Sequence, residues 1–258
     1  MTWYLDTALV VGAVSLVSGA FVPDLIARLP EPPPEPEPEP EPDPEPAAVA
    51  DSGTATEVVA EPEEPKQLYA EMARLPGLRW KTAVASAVVA GLLGARLGWD
   101  PALSLVLYLA PVGVALAVVD WKTRLLPTRL IAPSYVVVVV LVALSALVEG
   151  DPQRLVMGAL GWLVGGGTFF VMWFIYPRGM GYGDVRLSGV LGIALGSLGW
   201  AVLLTGVYSG FLIGGIGGLL LSVLHIVDRK AYPFGPFMLV GAVVGVLLAP
   251  YVAALYAA

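Results

Sequence analysis

The stretch LVMGALGWLVGGGTFFVMWFIYPRGMGYGDVRLSGVLGIALGSL, residues 155–198, decides the fold. An apolar run from Leu155 to Tyr176 is followed by Gly179-Met180-Gly181-Tyr182-Gly183-Asp184, and a second apolar run starts at Leu187. The first run has the length of a membrane-crossing helix. The glycines free the backbone for φ > 0 and let other segments approach closely. They hand the chain to a carboxylate at the edge of the bilayer, where an acid is costly unless paired, hydrated or neutral. A functional acid and a plain helix cap are both open readings of Asp184 on this stretch alone.

Moving outward, the rest of the chain agrees with a membrane location. Of 258 residues, 57% are hydrophobic and 14% charged, against about 45–50% and about 25% in soluble domains. The expected fold class is all-α: a polytopic membrane protein of about eight transmembrane segments. Its apolar runs are 4–23, 82–98, 101–119, 131–148, 155–176, 187–198, 200–224 and 235–256. The run at 187–198 is shorter than the ~20 residues of a straight span. Residues 1–30 read as a first anchor, because 4–23 has neither a basic leader before it nor a small-residue cleavage site after it. Gly161 and Gly165, and Gly210, Gly214 and Gly218, repeat every four residues and predict close helix packing.

Residues 31–65 are different. Twelve of the 21 acidic residues lie between Glu31 and Glu64, with Glu (Asp at 43) and Pro alternating from Pro34 to Pro46. Such a segment cannot bury enough apolar surface to fold, so a disordered, extended linker is expected. In residues 66–80, Leu68, Met72 and Leu75 mark one face of an amphipathic interfacial helix. Residues 81–258 form the expected membrane-embedded domain.

Basic residues set the orientation. Twelve of the 14 Lys and Arg fall in alternate connections, leaving only Arg96 and Arg154 in the others. By the positive-inside rule both termini face away from the cytoplasm. The linker, Asp120 and Asp184 then face the cytoplasm, provided that 187–198 crosses.

Asp120 ends an apolar run, Ala115–Val119, and precedes Trp121-Lys122-Thr123-Arg124-Leu125-Leu126-Pro127. An interfacial ion pair with Lys122 or Arg124 is one reading. Its pairing with Asp184 offers another. Two close carboxylates cannot both ionise cheaply and share a proton. One can take a proton from water while the other hydrogen-bonds a scissile carbonyl. Other chemistries fit poorly. The chain has no cysteine and one histidine, His225, which excludes thiolate and histidine-rich metal sites and the H-E-x-x-H motif. There is no G-x-S-x-G motif and no basic patch with interleaved aromatics for nucleic acid.

These residues resemble the type IV prepilin peptidases, GxGD-type aspartic membrane proteases. The family pattern G-M-G-x-G-D-x-K-L, with L-G following, is matched by GMGYGDVRL and Leu191-Gly192. Its first motif is matched by VVDWKTRLLP, ending at Pro127, and its P-F-G-P by Pro233-Phe234-Gly235-Pro236. The stretch from Gly19 to Pro30 is similar to a further G-S-F-x-N…R-L-P pattern. The resemblance implies a catalytic pair, Asp120 and Asp184. It implies supporting roles for Gly179, Gly181, Gly183, Pro127, Pro233 and Gly235, and topology or substrate contacts for Lys122, Arg124 and Arg186. It implies prepilin-like substrates, whose short basic leaders are cut at the cytoplasmic face of a bacterial inner membrane. Arg186 replaces the usual Lys, and Thr128 stands where Asp or Asn is common. Many relatives carry two C-x-x-C pairs that bind zinc and accompany N-methylation. This chain has none, so neither zinc, any other metal or cofactor, nor methyl transfer is expected. Two other readings are a GxGD protease for other membrane substrates and a proton-coupled transporter or scaffold.

Overall fold

The computed structural model describes residues 3–31, 68–177, 180–223 and 233–256, and the described residues are helical with no strand among them. Six helices are long and apolar enough to cross a membrane: Leu5–Ala27, Leu103–Thr123, Thr128–Glu149, Gln153–Ile175, Trp200–Gly218 and Gly235–Ala254. The chain is an all-α polytopic membrane protein. We label the helices α1 (Leu5–Gly19), α2 (Val22–Ala27), α3 (Tyr69–Ala73), α4 (Leu78–Leu97), α5 (Leu103–Thr123) and α6 (Thr128–Glu149). Next come α7 (Gln153–Gly161), joined by a π-helical turn at Trp162–Gly166 to α8 (Gly167–Ile175), then α9 (Tyr182–Ser197), α10 (Trp200–Val223) and α11 (Gly235–Tyr256).

Two of the eight runs lie outside the six. Helix α4 is 20 residues long but carries Arg79, Lys81 and Arg96. Helix α9 has 16 residues and reaches about 24 Å, short of the ~30 Å hydrocarbon core. It is nevertheless the most enclosed element, with every residue from Leu187 to Ser197 buried. It packs against α6, α7, the π-helical turn, α8, α10 and α11. Glycine makes this possible. A Cβ on Gly196 would lie 2.8 Å from the Gly161 Cα, and one on Gly192 would collide with the Gly161 carbonyl. With no side chains between them the two backbones touch, which maximises dispersion contact where lipid offers no hydrophobic drive. Gly206 and Gly210 serve α10 in the same way against Gly245 and Gly241 of α11, whereas Gly214 makes room for the Phe234 ring.

Helices α1 and α4 are stitched at both ends. The Tyr4 N–H donates to the Ala95 carbonyl at 2.9 Å, and the Thr82 hydroxyl to the Gly19 carbonyl at 2.9 Å. The Glu/Pro segment falls in residues 32–67, outside the described residues, but its flanks meet. The carboxylate of Glu31 accepts the N–H groups of Tyr69 at 2.8 Å and Ala70 at 3.0 Å, satisfying the free donors that open α3. The amphipathic helix expected over 66–80 is corrected to the five residues of α3. Pro76 disfavours helix at Leu75, Gly77 turns the chain at φ 74°, and α4 already begins at Leu78. Tyr69 and Met72 are buried, whereas Leu68 and Leu75 are exposed. Tyr69 reaches Thr123, one turn from Asp120.

Candidate active site

Asp120 sits in the last turn of α5, next to the fully buried Val119, and is itself only 4% exposed. The helix stops because Arg124 takes a left-handed conformation (φ 55°) and returns its N–H to the Asp120 carbonyl at 2.8 Å. Leu125 and Leu126 then form no regular element, and the extended Pro127 precedes the first turn of α6. Its fixed φ suits that place, and its carbonyl accepts the N–H of Leu130 at 3.0 Å.

Asp184 lies in the first turn of α9, 8% exposed, and its N–H donates to the Gly181 carbonyl at 3.0 Å. The motif glycines act through close approach rather than positive φ. Gly181 is extended, with φ −70°, and a Cβ there would lie 3.3 Å from the Asp184 Oδ2. A Cβ on Gly183 would stand 2.7 Å from that of Leu126. Gly179 lies outside the described residues.

The third contributor is the start of α11. The Gly235 N–H donates to the Asp120 Oδ2 at 2.9 Å, and a Cβ on Gly235 would meet that oxygen at 2.8 Å. This N–H belongs to the opening turn of a helix, where it has no intrahelical partner and the helix dipole favours an anion. Pro233 is buried beside it. Phe234 packs against the stacked pair Phe169 and Phe211, with ring centroids 6.0 Å and 5.7 Å away, and anchors the turn.

The structure thus gathers the ends of α5, α9 and α11. Leu126 is the wedge between them, touching Gly183 on one side and Gly235 on the other. Gly183 adjoins Asp184 and the Gly235 N–H holds Asp120, so Leu126 lies beside both acids.

Around this centre, Arg186 is held on three sides. Its guanidinium lies over the Tyr182 ring, 4.6 Å from the centroid, and donates to the Thr128 hydroxyl. Its carbonyl accepts the Tyr135 hydroxyl at 2.8 Å. Tyr182 in turn packs on Trp173, with centroids 4.9 Å apart. Sequence reasoning treated Arg186 as a replacement for Lys and Thr128 as a departure, and missed that they bind each other. Leu126, Tyr135 and Tyr182 were missed altogether, because no local pattern marks them. Lys122 and Arg124 are exposed. Among the described residues no group of three or more His, Cys, Asp or Glu gathers as a metal cage. His225 lies outside the described residues.

The model of the type IV leader peptidase family matches residues 107–257, more than half the chain. The curated "Prepilin leader peptidase/N-methyltransferase" of Aeromonas hydrophila is 32% identical over 186 residues, covering 68% of this chain and 58% of that protein. Its namesake in Aeromonas salmonicida (strain A449) is 33% identical over 187 residues, with the same coverage of 68% and 58%. The chain therefore spans less than two thirds of the length of these curated relatives. No solved structure matches.

Proposed function

We propose that this chain, which belongs to the type IV leader peptidase family, is a membrane aspartic endopeptidase that removes the short basic leader of prepilin-like precursors. One observation carries the reading. Asp120 and Asp184 are far apart in sequence, yet both are buried at helix ends on the two sides of Leu126, which meets Gly183 beside Asp184 and Gly235 beside Asp120. The placement matters because a close carboxylate pair holding one proton is both a base and an acid.

In this mechanism the ionised carboxylate takes a proton from water as its oxygen attacks the scissile carbonyl carbon. The protonated partner hydrogen-bonds the carbonyl oxygen. When the tetrahedral intermediate collapses, the C–N bond breaks and the leaving amine collects a proton from the pair. The Gly235 N–H steadies one oxygen of Asp120 through these steps. Gly181 and Gly183 let the substrate and Leu126 come close to Asp184. Lys122, Arg124 and Arg186 are the basic residues of the same membrane end.

The twelve-to-two distribution of basic residues supports an inner-membrane enzyme with both termini outside and the carboxylates on the cytoplasmic side. Residues 81–258 form the peptidase domain, and 31–65 a linker on the substrate side. The relatives are named for methyl transfer as well, but this chain has no cysteine with which to build a thiolate zinc site. We assign it peptide hydrolysis alone. Mass spectrometry of a pilin-like precursor co-expressed with the chain tests this. A shortened precursor with an unmethylated N-terminus is expected. An intact precursor overturns the peptidase, and a methylated one overturns the restriction to hydrolysis.

A further inference from the structure

The end of the bundle opposite the carboxylates holds a cavity of about 430 Å³. The same helices reach both places. Asp184 opens α9, while Ser197, Leu198 and Gly199 at its far end line the cavity. That separation is about 20 Å along the helix. Asp120 closes α5, whereas Asp100 lies just before its start; Gly235 opens α11, whereas Val246 and Pro250 lie near its end.

The charged lining is Arg96, Asp100, Asp151 and Arg154, with Gln153 and Ser197 as neutral polar neighbours. Arg154 is paired through all three of its nitrogens. It makes a two-pronged contact with Asp100 at 3.1 and 2.9 Å, and its Nε donates to Glu149 at 2.7 Å. Asp100 also accepts the Ala102 N–H at 2.7 Å. Arg96 is different. Its Nε is buried without a hydrogen-bond partner, and among the described residues no carboxylate pairs with it. Leaving a buried charged donor unmet is costly. Asp151 spends one oxygen on the Gln153 N–H at 3.0 Å and keeps the other. Among the described residues the lining therefore offers a cation without an ion pair, Arg96, and an exposed carboxylate without one within 4 Å, Asp151. Below them the walls turn apolar through Leu97, Leu198, Val202 and Val246.

We infer that this cavity binds the head of an aminophospholipid, with the phosphate on Arg96 and the ammonium on Asp151. Guanidinium and phosphate make charge-assisted hydrogen bonds, and the apolar walls receive the start of an acyl chain. A free phosphate shares the Arg96 chemistry but uses neither Asp151 nor the apolar wall. A phosphoglycerol head shares the phosphate and chain but leaves Asp151 without a cation.

The test uses the full chain, purified in detergent and delipidated. Phosphatidylethanolamine, phosphatidylglycerol or inorganic phosphate is titrated in, while thermal melting and native mass spectrometry are recorded. We expect phosphatidylethanolamine to raise the melting temperature and to remain bound, phosphatidylglycerol to do so less, and inorganic phosphate to do neither. Arg96→Gln is expected to weaken phosphatidylethanolamine retention at least about tenfold, Arg96→Lys to retain most of it, and Asp151→Asn to erase the preference over phosphatidylglycerol. Phosphatidylglycerol bound as tightly by the unaltered chain, inorganic phosphate stabilising it alone, or equal retention by Arg96→Gln overturns the inference.

Discussion

The N–H of Gly235 and the carboxylate of Asp120 meet at 2.9 Å across 115 positions of sequence. Through this bond the first turn of α11 sets the orientation of an acid carried by α5. Gly235→Ala would put a methyl group 2.8 Å from the same oxygen. We predict that it lowers kcat on the order of 10²-fold, as misplaced catalytic groups do, while the protein still folds. Steady-state cleavage with a thermal melt checks this; an unchanged kcat shows that the contact does not position Asp120.

Leu126 and Gly183 offer a second check on the same geometry. Gly183→Ala drives its methyl to 2.7 Å from the Leu126 Cβ and is expected to impair cleavage. Leu126→Gly removes the opposing atom. The double variant should therefore recover activity relative to Gly183→Ala, with a coupling of about 0.5–3 kcal/mol. Strict additivity in the double-mutant cycle would mean that the two residues do not meet in the working enzyme.

Arg186 separates a positioning role from a topological one. If only its charge mattered, Lys would serve equally. The stacking on Tyr182 and the bond to Thr128 need a planar guanidinium. Arg186→Lys and Thr128→Val should each lower kcat about three- to tenfold, a modest misplacement, with little change in KM. Combining them should cost little more than either alone. Wild-type kcat in Arg186→Lys would return Arg186 to the role of a membrane anchor.

The burial of α9 predicts where stability resides. A Cβ on Gly192 points at the Gly161 carbonyl, which is backbone and cannot swing aside. Gly192→Ala should cost roughly 1–3 kcal/mol as an overpacked site and lower the melting temperature in detergent. Gly167 has nothing within 4 Å of the equivalent position. Gly167→Ala should be neutral or slightly stabilising, because alanine favours helix. Equal effects from the two would contradict the packing described for α9.

The apolar runs, the two acids and the Pro-Phe-Gly-Pro turn were legible in the sequence, since each is a local pattern. The break between α3 and α4 was readable in Pro76-Gly77 but was overlooked in favour of the apolar spacing of Leu68, Met72 and Leu75. What sequence could not supply are contacts made by atoms distant in the chain. Gly183 and Gly235 are glycine because Leu126 and Asp120 lie against them, and φ says nothing of this. Arg186 and Thr128 stand 58 positions apart, and their hydrogen bond is visible only in the fold. The short run at 187–198 is enclosed by a shell of neighbouring helices, which no local pattern announces.

The central claim is that Asp120 and Asp184 act as one unit on water, and each can be removed with minimal change of shape. Cleavage of a prepilin-type precursor by purified Asp120→Asn and Asp184→Asn proteins in liposomes tests it most directly. The account predicts that each single variant inserts and melts normally and loses about 10²–10⁴-fold or more in rate, with the double variant little worse than either. A single variant that cuts at near wild-type rate would contradict it.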